Sequence, residues 1–310
     1  MALGALGQVL PDIDFIAAFW TDPSTNLLTH RGFSHSFVFG FLLAILMAFL
    51  VRIKWKDRVK WHEWFLFFLL EVGLHLFFDL FNTYGVGLLE PFTHARFAWD
   101  TIFVADPFFT LPYLIAFLAL LFTHKMYRRR KAWWRFGILL SSLYIIYAVV
   151  NKMNITSEAK RVLKKEGIAY QRVFTTPTPL NNFLWFVSAE DSNGYHVGYC
   201  SAIDGKDKSE FHFFPRNDSL LLLAKNREEV ERLIRFSEGY YTVETWHDTL
   251  VFNDLRFGQI IGWQDPSQHF AFHYYLNQPA RFNALVVQRG RFAKWNRESL
   301  RSMLNRMQGN

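Results

Sequence analysis

Six residues in three short stretches have the types and spacing of a metal site: Asp12 and Asp14 in "LPDIDF", His30 and His35 in "THRGFSHS", and His75 and Asp79 in "EVGLHLFFDLFNTYG". Imidazole and carboxylate are ligands of zinc and its neighbours, and a His and an Asp one helical turn apart can grip one ion. Glu71, His75 and Asp79 are spaced by four, so successive members lie about 40° apart around an ideal helix and share a face. An ionisable residue inside a membrane span costs on the order of 2.5–3.5 kcal/mol on insertion scales, so three on one stripe call for polar partners or a cation. The competing reading is a buried hydrogen-bonded pair between neighbouring helices.

In "THRGFSHS", Gly32 and Ser34 interrupt helical continuity, and Ser34 is expected to cap the helix that follows. His35 then stands in the first turn, where the backbone dipole favours a neutral ring that can ligate a metal. Arg31 suits a phosphate or carboxylate through paired N–H donors. Asp12 and Asp14 point to one side if their stretch is extended, whereas a tight turn would divert one of them to a cap. His30, His35, His75 and Asp79 are therefore expected to ligate, with one of the two N-terminal aspartates. The expected roles are Asp14 as ligand, Asp12 as general base and Arg31 as the group that steadies developing charge. Glu71, Ser36 and Asn82 are expected behind the ligands. Asp100 and Asp106 are weaker candidates, since Asp106 before Pro107 can simply start a helix.

The elements that must position these groups are apolar. Hydrophobic residues make up 51% of the 310 and aromatic residues 18%, concentrated in runs before residue 151. Four runs, Phe37 to Ile53, Trp64 to Phe81, Pro107 to Phe122 and Phe136 to Val150, are borderline for crossing ~30 Å of hydrocarbon at 1.5 Å per residue. The net charge is +7, and in the first half Lys and Arg cluster in "VRIKWKDRVK" and "HKMYRRRKAWWR". With both patches cytoplasmic, the candidate ligands all fall on the outer side and residues 152 to 310 are extracytoplasmic. Because orientation explains the basic patches, nucleic acid is not an expected partner. The start lacks the basic segment of a cleavable signal peptide, and the single cysteine, Cys200, excludes an internal disulfide.

The expected fold class is an α-helical polytopic membrane domain, residues 1–151, followed by an α+β extracytoplasmic domain, residues 156–310. In the second part "TSEAKRVLKKEG" and "NREEVERLIRFSEG" read as helices. "NFLWFVSAE", "GYHVGYCSA", "EFHFFPR", "YYTVETW", "TLVFNDLRFG" and "HFAFHYYLN" read as strands, with a turn at "DSNG". Its histidines, His196, His212, His247, His269 and His273, are scattered and expected at the surface.

Taken together, "LPDID", "HRGFSHS", "HLFFDLFNTYG" and the "PF" at 91–92 resemble the motif string of the bacterial inner-membrane metal-dependent hydrolase family called YdjM-like, over residues 1 to about 151. The resemblance implies a multi-pass protein of the bacterial cytoplasmic membrane, with Asp12, Asp14, His30, His35, His75 and Asp79 as matching positions. Helix-borne HxxxD ligation is more remotely similar to the zinc-dependent phospholipase C and nuclease group, an analogy that favours phosphoester substrates. Family members carry a longer helix before the Pro-Asp turn than the ten residues present here, which would span about 15 Å, half a bilayer. The true start is thus expected upstream, or a helix and a ligand are lost. The cofactor expected is a divalent metal, zinc first and manganese second; the partners are membrane lipids and an amphiphilic substrate. Two other classes compete: a non-catalytic membrane protein whose outer domain binds an envelope partner, and a proton-coupled transporter using Glu71, His75 and Asp79.

Overall fold

The structure, a computed structural model, describes residues 2–54, 59–124, 129–203, 209–279, 283 and 295–308. The middle of both basic patches lies outside them. The architecture is a helical N-terminal region with candidate membrane helices, followed by a sheet-containing C-terminal region. By contacts the described chain groups into two units, Met1–Trp99 with Arg227–Phe236, and Asp100–Asn226 with Ser237–Asn310.

In the first unit, α1 (Ala2–Val9) runs into a 3₁₀ segment, Leu10–Phe19, and a short helix α2 (Pro23–Thr29) follows. Asp22 caps α2 by accepting from the Thr25 amide at 2.9 Å. A 3₁₀ turn, Phe33–His35, then leads into α3 (Phe37–Lys54) and its antiparallel neighbour α4 (Trp61–Asp79). The cap of α3 is Ser36, whose Oγ accepts from the Phe39 amide at 3.0 Å, and not Ser34 as the sequence suggested. Leu43, Ala44, Met47, Ala48 and Val51 pack on Phe68, Val72 and Leu76. The outward faces of the pair are as greasy as the core, with Phe41, Leu42, Leu46, Phe49, Leu50, Leu66 and Leu70 exposed. So large an apolar surface needs lipid to cover it. The unit's last element is α7 (Arg227–Phe236), numbered here in chain order, which buries Val230, Leu233 and Phe236 and packs on α2. This is the helix expected in "NREEVERLIRFSEG", but its contacts are with the N-terminal region.

The second unit holds α5 (Pro107–Phe122) and α6 (Arg130–Lys165). α5 has 16 residues, about 24 Å, whereas α3, α4 and α6 are long and apolar enough to cross a membrane. α6 is continuous for 36 residues, through the boundary expected at 151–156, and its last turns are the "TSEAKRVLKKEG" that the sequence suggested as a separate helix. No Pro or Gly interrupts it between Gly137 and Gly167, which is why it does not break. β1 (Arg172–Pro177), β2 (Leu184–Glu190), β3 (Gly194–Ser201) and β4 (Phe211–Pro215) form one antiparallel meander. A second comprises β5 (Tyr241–Trp246), β6 (Thr249–Gln259) and β7 (Phe270–Tyr275). Phe186, Tyr195, Val197, Leu255 and Phe270 meet in a core closed by Met303 and Met307 of the last helix, α8 (Arg297–Met307). Ile155 and Ala159 of α6 pack on Trp185, Val187 and Cys200 of the first sheet. His273, expected at the surface, is buried with its ring against Trp246, centroids 4.7 Å apart.

The α5–α6 crossing is close because residue 137 lacks a side chain: a Cβ there would stand 2.9 Å from Ala116 Cβ and 3.3 Å from the Pro112 carbonyl. Gly137→Leu is expected to prise the pair apart and destabilise the protein by about 1–3 kcal/mol, with Gly137→Ala milder. Thermal unfolding in detergent measures both; an unchanged midpoint for the leucine variant contradicts this packing.

Candidate metal centre

The α3–α4 hairpin brings the start of one helix and the end of the other to the same rim, and the 3₁₀ segment before α2 lies against that rim. One donor atom from each of Asp12, His35, His75 and Asp79 lies within 4.8 Å of all the others. The two imidazole Nε2 atoms are 3.2 Å apart. His35 Nε2 is 3.3 Å from Asp12 Oδ1 and 3.4 Å from Asp79 Oδ2; His75 Nε2 is 3.7 and 3.5 Å from the same two oxygens. Ligands 2.0–2.1 Å from a tetrahedral ion stand about 3.3–3.4 Å from one another. All these separations are close to that edge. Asp79 Oδ2 is buried and has no hydrogen-bond donor among the described residues, and the two facing imidazole nitrogens are joined either by a proton on one of them or by a cation between them. The four side chains therefore have the donor types and spacing to hold one divalent cation.

Asp14 stands behind this group. Its Oδ2 accepts from the Arg31 amide at 2.7 Å and from Ser34 Oγ at 2.8 Å and lies 3.3 Å from His35 Nδ1, while Oδ1 is 3.1 Å from His30 Nδ1. A carboxylate on the far nitrogen of a ligating imidazole fixes its tautomer and strengthens the ligand. The spacing alone leaves an extended stretch and a tight turn open, and the expected assignment had Asp14 as ligand and Asp12 as base. The segment is 3₁₀, where residues two apart differ by about 240° around the axis and face different ways. Asp12 consequently joins the imidazoles and Asp14 the loop. His30 is held on Asp14 and its ring centroid is 6.3 Å from that of His35, so it is not in the four-residue group.

Arg31 is also placed differently from expectation. It is 8% exposed, and its backbone is left-handed at φ 57°, which turns the side chain back toward the end of α4. There Nη1 donates to Asn82 Oδ1 at 2.6 Å and Nη2 lies 3.2 Å from Asp79 Oδ1. The guanidinium thus orients Asp79, leaving its Oδ2 for the cluster. Gly32 makes this turn possible, since a Cβ there would sit 2.9 Å from both the Leu28 and Thr29 carbonyls. Asn82 does stand behind a ligand, through Arg31. Ser36 caps α3. Glu71 accepts from Gln8 Nε2 at 2.8 Å, so its partner is α1. Asp100 pairs with Lys152 at 3.4 Å, and Asp106 caps α5 while accepting from Tyr144 at 2.7 Å, which gives both a structural use. Gln8 and Arg96 escaped the sequence reading. Arg96 is the one Arg or Lys in the connector 82–106, and that isolation was its signal.

Burial by itself would lower the His35 pKa, but the carboxylates of Asp12, Asp14 and Asp79 outweigh it and push the ring up to about 10. Asp12 and Asp14 move the other way: burial opposes ionisation, yet His35, the other histidines around them, Ser34 for Asp14 and Arg31 for Asp12 hold both below the ordinary carboxylate range. Three carboxylates against one guanidinium leave two negative charges when the histidines are neutral, which one divalent ion would offset.

A model of the YdjM inner membrane protein family matches residues 1–155, half the chain, which includes Asp12, His35, His75 and Asp79. The chain belongs to that family. It is similar to inner membrane protein YbcI of Escherichia coli (strain K12), 33% identical over 144 residues, covering 43% of this chain and 82% of YbcI. It is also similar to the uncharacterized protein YfhP of Bacillus subtilis (strain 168), 24% identical over 261 residues, 81% of this chain and 75% of YfhP. No solved structure matches. Like its family, the chain is an inner membrane protein with several apolar helices.

In the metal-free protein His35 is expected to titrate far above the ordinary value of about 6.5, and Asp14→Asn to bring it down. A folded-state pKa raised in this way contributes stability that is complete below about pH 6.5 and is lost as pH rises toward 10. Histidine NMR on protein labelled at its imidazoles reads the titration directly; a His35 that titrates near 6.5 in both forms would refute the geometry.

Proposed function

We propose that this protein is a metal-dependent hydrolase that acts on a phosphoester of a lipid or lipid-linked substrate at the outer face of the cytoplasmic membrane. The observation that carries the reading is the convergence of two imidazole Nε2 atoms and two carboxylate oxygens within 4.8 Å of one another, with the imidazole nitrogens 3.2 Å apart. A zinc or manganese ion held by His35, His75 and Asp79, with Asp12 beside the open fourth position, would supply an acidified water there and polarise a phosphoryl oxygen. Asp14 keeps His35 Nδ1 engaged so that Nε2 faces the group, and Arg31 aims Asp79 while offsetting part of its charge. Asp12 is the most open of the four, 44% exposed at its side chain against 0–15% for the others, so it is the carboxylate able to take a proton from an approaching water.

Orientation follows from charge. Arg52, Lys54 and Lys60 lie at the end of the α3–α4 hairpin away from the centre, and Arg130, Lys131 and Arg135 open α6. With these ends cytoplasmic, the centre faces outward. The packing of α7 on α2, beside the centre, supports an extracytoplasmic C-terminal region. Exposed Phe15, Phe19 and Trp20 on the segment that carries Asp12 suit the headgroup layer, which is where an amphiphile presents its phosphate.

Protein purified in detergent is expected to hold about one equivalent of zinc or manganese, lost in His75→Ala and Asp79→Ala; stoichiometric metal in both variants removes these residues from the ligand shell. Because His35 must shed a proton to ligate, affinity is expected to rise by roughly tenfold per pH unit between pH 6 and 8. A chelator-sensitive phosphodiesterase activity on lipid analogues completes the case, and a fully loaded protein inert toward every phosphoester offered would sink the hydrolase assignment while leaving the metal centre.

A further inference from the structure

We propose that α7 and Arg96 form a positioning brace that holds the metal group in shape, so that a helix from the C-terminal half sets how tightly an N-terminal centre grips its ion. The inference rests on the metal-centre reading above. Its starting point is a single peptide plane. The carbonyl of His30 accepts from both Nη atoms of Arg96, one at 3.3 Å, and the amide on the other side of the same bond, Arg31 N–H, donates to Asp14 at 2.7 Å. Since the peptide unit is rigid, gripping it at both ends fixes the rotation from which Arg31 takes its left-handed φ. From that rotation follow the reach of the guanidinium to Asp79 and the seat of Asp14 behind His35.

Arg96 is itself held. Its guanidinium lies over the ring of Phe236, 5.8 Å from the centroid, and that residue, at the end of α7, is 2% exposed. A further donor contact runs from Arg96 to the Leu28 carbonyl at 3.4 Å, so the cation also covers the C-terminal end of α2. α7 is fastened along the same surface: Arg232 Nε donates to the buried Ser24 Oγ at 2.9 Å and lies 3.7 Å from Asp22, while Arg235 is 4.0 Å from Glu90. The chain of contact is Phe236, Arg96, the His30–Arg31 peptide, then Asp14 and Asp79. The first member lies beyond residue 155, outside the region that the family model covers.

Two variants of the full-length protein in detergent test this: Arg96→Ala, and Phe236→Leu, which keeps apolar bulk but removes the ring face. Hydrogen exchange of the amides of residues 30–36 and the affinity for Co²⁺, read from its visible absorption, are compared with wild type, with cooperative thermal unfolding as the check on folding. Expected are faster exchange confined to that turn and about tenfold weaker Co²⁺ binding in both variants, with a shifted absorption band, and partial rescue in Arg96→Lys. Unchanged exchange, or changed exchange with unchanged Co²⁺ affinity and spectrum, overturns the proposal. If wild type takes no Co²⁺, the metal reading and the proposed effect on affinity fall together, and the exchange data still decide whether the brace holds the turn.

Discussion

Carboxylates gathered at the mouth of a hairpin that faces hydrocarbon on its outside are tolerable only if their negative charge is met, and most of the first unit is arranged to meet it. Isolated buried charge costs several kcal/mol per ion even after relaxation. Asp14, with a side chain 5% exposed, is surrounded by the Arg31 amide, Ser34 Oγ and the His30 and His35 rings. Asp79 shares one oxygen with Arg31 and turns the other into the cluster, 3.4 Å from His35 Nε2. In the metal-free protein His35 must supply the missing positive charge by keeping a proton, which is why its pKa stands so high. A divalent ion would take over that duty and release the proton.

Much of this centre could be read in the residues. The spacing of four between His75 and Asp79, and the placing of "HRGFSHS" ahead of an apolar run, name three of the four members of the cluster, and the run of apolar segments names the membrane. The residues narrow the fourth member to Asp12 or Asp14, but which of the two it is, and what stands behind the cluster, depends on local backbone type. "LPDIDF" is compatible with an extended stretch or a turn, and only the 3₁₀ winding sends Asp12 to the imidazole Nε2 atoms and Asp14 to the opposite edge of His35. Likewise a polar residue at 34 or 36 can cap the next helix. The tight turn spends Ser34 on Asp14 and leaves Ser36 for the cap.

Longer-range placement was less legible still. Hydropathy draws a boundary where greasy sequence ends, near residue 151, but α6 continues to Lys165 because nothing in "TSEAKRVLKK" stops a helix and Ile155 and Ala159 find cover on the first sheet. The amphipathic pattern of α7 announces a helix with one apolar face without saying which surface covers it. That surface is α2, far upstream in sequence, and the polar signals for the pairing are scattered: Ser24, Asp22 and Glu90 each look like ordinary loop residues.

The local stability of the segments explains why such fastening matters. The cluster's Asp12 and His35 come from 3₁₀ stretches, whose hydrogen bonds are poorer than those of an α-helix, and the helix between them has only seven residues. A non-glycine residue in the left-handed region adds strain on the order of 1–3 kcal/mol at Arg31. None of these pieces would hold its shape alone. By contrast His75 and Asp79 ride on a long α-helix whose geometry is secure. Half of the centre is thus rigid by construction and half depends on tertiary contacts, so any element that touches the second half has leverage over the distance between the two. Arg96 touches it at the one peptide bond that both Asp14 and the Arg31 backbone share.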